Sequence, residues 1–198
     1  MKHQPTTAAG DGRPGPRALE LERTPPAELE RLLLDGATPD LDALAGWEFR
    51  GINTPAWARL VGIKKFMKGF CRSGEQVYGY NCPVVQNRLA DAWIARPDDA
   101  NPKRFGFYAV TPVDPTSRDN AYLHALLLDY GKGDNPRLDP SRGLRDYLVQ
   151  PDPADPDLLL GKAYYAVGPL RLPTFAFFVL ERHRRGLTDI DYRRTRRR

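Results

Sequence analysis

Two tracts decide the fold: Gly46-Trp47-Glu48-Phe49-Arg50-Gly51-Ile52-Asn53 and, far downstream, Thr174-Phe175-Ala176-Phe177-Phe178-Val179-Leu180-Glu181-Arg182. Side chains alternate along a strand, so Trp47 and Phe49 share one side of the first tract. By the same parity Phe178, Leu180 and Arg182 share one side of the second. A glycine-tryptophan opening strand and an aromatic closing strand ending in arginine suggest a small closed β-barrel with a hollow interior.

Between these tracts the chain reads as repeated short strands at about 46–53, 64–71, 76–82, 104–111, 121–130, 144–150, 158–166 and 174–182. Several are rich in aromatic and β-branched residues. Turn signals separate many of them: Arg72-Ser73-Gly74, Gly131 to Pro136, Pro151 to Pro156, and Gly168-Pro169. Eight strands are enough to close a barrel able to hold one small ligand. An open sheet with helices on one face is the competing architecture.

Three zones follow. Residues 1–24 are rich in Pro, Gly, Thr and Ala and are expected to be a disordered tail. The body spans 25–183 and opens on a short helix. Thr24 suits its N-cap, Pro25 its first position, and Glu28 and Glu30 its positive end. Leu29, Leu32 and Leu33 form its apolar stripe, and Gly36 ends it. Thr38 to Leu44 reads as a capped turn or single helical turn. Pro55 to Val61 reads as a short helix, and Leu89 to Ile94, in a long connection, as a helical turn. Residues 184–198 form a basic tail.

Composition narrows the class. The 198 residues are 41% hydrophobic, with nineteen prolines and seventeen glycines in turns and tails. No run of eighteen apolar residues exists, so no transmembrane helix is expected. Met1-Lys2-His3 has no apolar stretch behind it, which argues against a secretory signal and for a cytoplasmic protein. Cys71 and Cys82 are then two reduced thiols. They fall on strands expected to be adjacent, so a bridge between them stays geometrically open.

The net charge of +5 is unevenly placed. From Arg182 to Arg198 eight arginines face two aspartates, so the rest of the chain is one charge short of neutral. Such a tail can contact nucleic acid or an anionic membrane, or simply aid solubility. It carries one aromatic, Tyr192, and no interleaved stacking residues, so nucleic acid is not the favoured partner.

The Gly46-Trp47 start, the eight-strand count and the final strand ending in Arg182 resemble the calycins: lipocalins, fatty-acid-binding proteins and bacterial relatives. Asp157-Leu158-Leu159-Leu160-Gly161-Lys162-Ala163 followed by Phe177-Phe178-Val179-Leu180-Glu181-Arg182 is similar to the end of a bacterial GXWXG-motif family with a C-terminal domain of unknown function. The resemblance covers about residues 46–182, with specific motifs only at its two ends. It departs from the motif in that tryptophan directly follows Gly46. It implies a mainly β fold, a closed antiparallel eight-stranded lipocalin-like barrel, here with the short N-terminal helix read above, that holds a ligand; it does not imply an enzyme. It also implies that Arg182 lies over Trp47, a favourable cation–π contact. The other reading of Arg182 is the first residue of the basic tail.

Candidate ligand contacts come from the middle strands. In the 121–130 run one face carries Tyr122, His124, Leu126, Leu128 and Tyr130. A few polar tips in an apolar wall is how small-molecule pockets are made. Tyr108, Tyr147 and Tyr164 add hydroxyls from neighbouring strands, so the ligand set is Tyr108, Tyr122, His124, Tyr147 and Tyr164. Each tyrosine also fits a core or rim position with its hydroxyl in water. His124 is the sole histidine of the expected body outside its last residue, His183, and suits a haem ligand, a general base or a plain hydrogen bond.

Other chemistries lack their signatures. No His/Cys pair has zinc spacing. Gly131-Lys132-Gly133-Asp134-Asn135 lacks P-loop spacing. Asp152, Asp155 and Asp157 alternate with prolines and lack an EF-hand register. Ser141-Arg142-Gly143 has no nucleophile-elbow context. Lys64, Phe66, Lys68 and Phe70 share a face. These lysines either guard an edge strand or neutralise an acidic head group at a barrel mouth. The sequence thus reads as a barrel binding a small, largely hydrophobic ligand, as a carrier or sequestering protein without a cofactor. An isomerase or cyclase on the same barrel, and anionic-partner binding through the tail, are the alternatives.

Overall fold

The computed structural model describes residues 13–189, apart from the side chains of residues 173–175. Eight antiparallel strands close into a barrel in sequence order, the last returning to the first. They are β1 (Trp47–Asn53), β2 (Lys65–Ser73), β3 (Gln76–Pro83), β4 (Phe105–Pro112), β5 (Leu126–Asp129), β6 (Leu144–Val149), β7 (Leu158–Val167) and β8 (Leu170–Arg185). The described α-helices are α1 (Pro16–Arg23), α2 (Pro26–Asp35), α3 (Leu41–Leu44) and α4 (Pro55–Val61). Among the described residues no helix is long and apolar enough to cross a membrane.

Closure is set by the β1–β8 ladder, which pairs Phe49 with Arg182 and Gly51 with Leu180. Arg182 is therefore a strand residue, not the start of a tail. Its guanidinium carbon lies 4.8 Å from the Trp47 ring centroid and 5.0 Å from that of Phe49. Its Nη1 donates to the Ala43 carbonyl at 2.9 Å, tying α3 across this end. At the other end α4 crosses the barrel, and Trp57 packs on the interior cluster.

Alternation sends one side chain in two into the lumen. Phe49, Phe70 and Tyr108 meet there with centroid separations of 5.5 Å and 6.0 Å, and all three are 0% exposed. Small residues make room for the rings. A Cβ on Gly79 would lie 2.1 Å from the Tyr108 ring, and one on Gly161 would lie 2.1 Å from the Phe178 ring. At this level side chains fill the middle of the barrel, as eight-stranded barrels allow.

The same alternation corrects the reading of the lysines on β2. A closed barrel has no edge to guard. Phe66, Lys68 and Phe70 face inward, and Lys68 is 3% exposed. Its Nζ lies 2.9 Å from Asp146 Oδ2 and 3.0 Å from Asn81 Oδ1, and it also donates to the Tyr130 hydroxyl. That hydroxyl donates in turn to Asp146 at 3.1 Å. Each polar group has a partner, which is what makes burial of the charge tolerable.

Outside, α2 lays Leu29 and Leu33, both fully buried, on the barrel wall. Its first residue is Pro26, because Thr24 closes the preceding helix instead: the Thr24 amide donates to Leu21 and its hydroxyl to Glu20. That helix, α1, occupies part of the segment expected to be disordered. Composition concealed it because its anchor is tertiary: the Gly15 amide donates to Glu181 Oε1 at 2.9 Å, and Arg50 pairs with Glu181 at 2.8 Å. Residues 1–12 and the arginine-rich run from 190 lie outside the described residues, while Arg184 and Arg185 belong to β8.

Two further expectations change. The run 121–130 is not one strand: only Leu126–Asp129 pairs, and residues 121–125 turn, with the Ala125 amide donating to the Tyr122 carbonyl at 3.0 Å. Residues 89–94 hold a single turn, closed by the Asp91 amide on the Arg88 carbonyl, and no helix. Their backbone is gathered by Lys65, whose Nζ donates to the carbonyls of Asp91 at 2.9 Å and Ala92 at 3.2 Å and sits 3.8 Å from the Trp93 ring centroid. Cys71 and Cys82 are buried thiols not joined in a disulfide, opposite Tyr78 and Met67 respectively in the β2–β3 ladder.

Candidate functional site: a tyrosine pocket on the barrel wall

Three of the five expected ligand residues meet. The β6–β7 register places Tyr147 opposite Lys162 and Arg145 opposite Tyr164. Tyr147 and Tyr164 point outward and stack at 5.2 Å with 22° between their planes. The turn before β5 lays Tyr122 against Tyr147, edge to face at 4.8 Å. Arg118, Asn120, Ala121, Lys162 and Arg171 complete a cavity of about 230 Å³ around them.

The other two residues lie elsewhere. Tyr108 is in the lumen, its hydroxyl 3.1 Å from the Gly69 carbonyl oxygen. His124 is half-buried outside the barrel, where its Nε2 sits 2.8 Å from the Leu33 carbonyl oxygen and fixes the turn to α2. Alternation along β4 turns Tyr108 inward, and the turn at 121–125 takes His124 out of the strand.

The pocket has two charged rims. At one, Glu30 of α2 takes a proton donor on each carboxylate oxygen: the Tyr122 hydroxyl on Oε1, and Lys162 Nζ at 2.6 Å on Oε2. Lys162 Nζ also donates to the Tyr122 hydroxyl at 2.9 Å. At the other, Asp119 is paired with Arg171 and stands 3.7 Å from Arg145. Burial pushes the Asp119 carboxyl up, but the Arg171 hydrogen bond and the surrounding donors and charges hold it below the usual carboxylate range.

One atom of the wall is left over. The Tyr164 hydroxyl is buried beside Asp119 and Tyr147 but makes no well-aligned hydrogen bond to either. Burial, with Asp119 adding, pushes it well above the phenol range, so it stays protonated. Burial and the Glu30 carboxylate do the same to Tyr122. The wall therefore offers two protonated phenols, a stacked aromatic surface and a surplus of cations. That set can bind and orient a ligand.

Glu30, Asp119, Lys162 and Arg171 were not read as site residues from the sequence. Lys162 carried a signal, being in phase with Tyr164 on an outward face. Glu30 carried none, since it reaches the site only through the docking of α2. No protein-family model, curated protein or solved structure matches the chain.

Proposed function

We propose that the protein binds a small, flat, largely apolar molecule in the tyrosine pocket, as a carrier or sequestering protein. The observation that carries this reading is the Tyr164 hydroxyl, buried in the wall of a cavity without a well-aligned hydrogen bond. A buried hydroxyl left wholly unsatisfied costs about 1–3 kcal/mol and a poorly aligned one part of that, a cost that a ligand group placed against it removes. The stacked Tyr147 and Tyr164 rings supply the apolar face that such pockets need. At about 230 Å³ the cavity suits a one- or two-ring molecule better than a long acyl chain. The resemblance of the two end tracts to calycin barrels supports a binding role, and the rings that fill the middle of the lumen favour the wall as the ligand's place in this chain.

Native mass spectrometry of protein purified from its own source tests the proposal. A bound small molecule is expected, lost in Tyr147→Ala while the fold is kept. Ligand-free protein from its source, together with no binding from a library of aromatic fragments, would overturn it.

A further inference from the structure

A carboxylate already sits at the pocket's rim. Glu30 sits in a two-donor cradle made by Lys162 Nζ and the Tyr122 hydroxyl. The cradle is backed by rings, with Lys162 Nζ 5.2 Å from the Phe177 centroid and 5.5 Å from that of Tyr122. The helix does not depend on this contact, because α2 is seated by Leu29 and Leu33. Glu30 itself is a third exposed, so its side chain can swing into water while the helix stays docked.

On the opposite rim Arg118 is exposed and, among the described residues, has no ion pair. A cationic ligand therefore meets Lys162, Arg171 and Arg118 with Glu30 and Asp119 already engaged. A neutral ring gains stacking alone. An acid attached to a ring exchanges one carboxylate for another on Lys162, so that no buried charge is left unpaired at any stage.

We infer that the pocket takes a small aromatic carboxylate whose acid group displaces Glu30 from Lys162 and the Tyr122 hydroxyl. This rests on the tyrosine pocket being the ligand site. The ring lies against Tyr147 and Tyr164, and Glu30 sets the specificity by competing for the cradle.

The test is a titration of the full chain with benzoate, benzamide and benzylamine, followed by the amide resonances of Tyr122, Tyr147 and Lys162. Benzoate is expected to bind tighter than benzamide, and benzylamine weakest. Glu30→Gln is expected to tighten benzoate roughly three- to tenfold and leave benzamide unchanged, because charge-assisted hydrogen bonds to Lys162 are released for the ligand. Lys162→Met is expected to erase the preference for benzoate. Equal binding of benzoate and benzamide, or no gain in Glu30→Gln, overturns this inference and leaves the pocket as a ligand site. No binding of any ring to either protein overturns the ligand site as well.

Discussion

Lys68 and Asp146 form an ion pair of 2.9 Å in the middle of the barrel, with side-chain exposures of 3% and 4%. Rings of Tyr108, Tyr130 and Phe178 lie within 4.8–5.4 Å of the ammonium. Burial lowers the Lys68 pKa, and Asp146 opposes that. Breaking such a pair from one side strands a charge and typically costs about 3–5 kcal/mol, whereas replacing both partners by apolar groups is often near neutral. Asp146→Leu alone is therefore expected to be far more destabilising than Lys68→Met with Asp146→Leu together. Denaturant midpoints of the single and double variants decide it; additive losses would show that the two residues do not act as a pair.

The barrel's interior is built against glycine as much as against rings. A Cβ on Gly79 would lie 2.1 Å from the Tyr108 ring and 2.6 Å from the Gly69 carbonyl oxygen. The ring is fully buried and the carbonyl belongs to the neighbouring strand, so neither can yield cheaply. Overpacking of this kind costs about 1–3 kcal/mol. Gly79→Ala is expected to lose at least that much in a urea melt. Gly74→Ala, in the β2–β3 turn, meets no atom within 4 Å but carries a φ of +63°, so its cost is the smaller one of backbone strain. The comparison separates packing from conformation.

Lys65 holds the long β3–β4 connection by its backbone. Its Nζ donates to carbonyls of Arg88, Asp91 and Ala92 and to the Asn87 side chain, and the Gln86 side chain bridges the β2 backbone. Hydrogen bonds from a charged donor contribute about 1.5–3 kcal/mol each at most. Lys65→Met keeps the stem's packing and removes them all. Trypsin is expected to cut the variant at Arg88 well below its unfolding temperature, while the wild-type protein resists there. Cleavage elsewhere first would show that the connection is held by other contacts.

The barrel was legible because period-two alternation and turn residues are local. The strands starting near Trp47, Phe105, Leu144 and Leu158 fall within about two residues of their expected bounds. The same signal overran at 121–130, since alternation continues through Tyr122 and His124 although the chain turns there. The tyrosines of the pocket were visible one by one as half-buried aromatics. Their meeting depends on the β6–β7 register and on α2, contacts between residues up to 132 apart in sequence, which no local pattern encodes. Lys68 was in phase with Phe66 and Phe70, and a lysine in register with core aromatics was the available sign of a buried ion pair.

His183 sits where the β1–β8 ladder slips. Glu48 pairs with Arg184 and Phe49 with Arg182, so His183 is the extra residue of a bulge. Burial first, then the charges of Arg50 and Arg184, lower its pKa to about 4, with Asp99 pulling the other way. In the unfolded chain the ring titrates near the ordinary histidine value of 6.5. The folded imidazole thus stays neutral where the unfolded one takes up a proton, so its contribution to stability is whole above pH 6.5 and is lost as pH falls through 4. Burial raises the carboxyls of Glu22 and Glu181, which act in the opposite sense, so the wild-type curve alone does not isolate the ring. The difference from His183→Gln does. Wild type is expected to lose about 1–3 kcal/mol more than the variant between pH 6.5 and 4. Denaturant melts at half-unit pH steps measure this, and parallel curves for the two proteins would show that the ring is protonated in the folded barrel as readily as in the open chain.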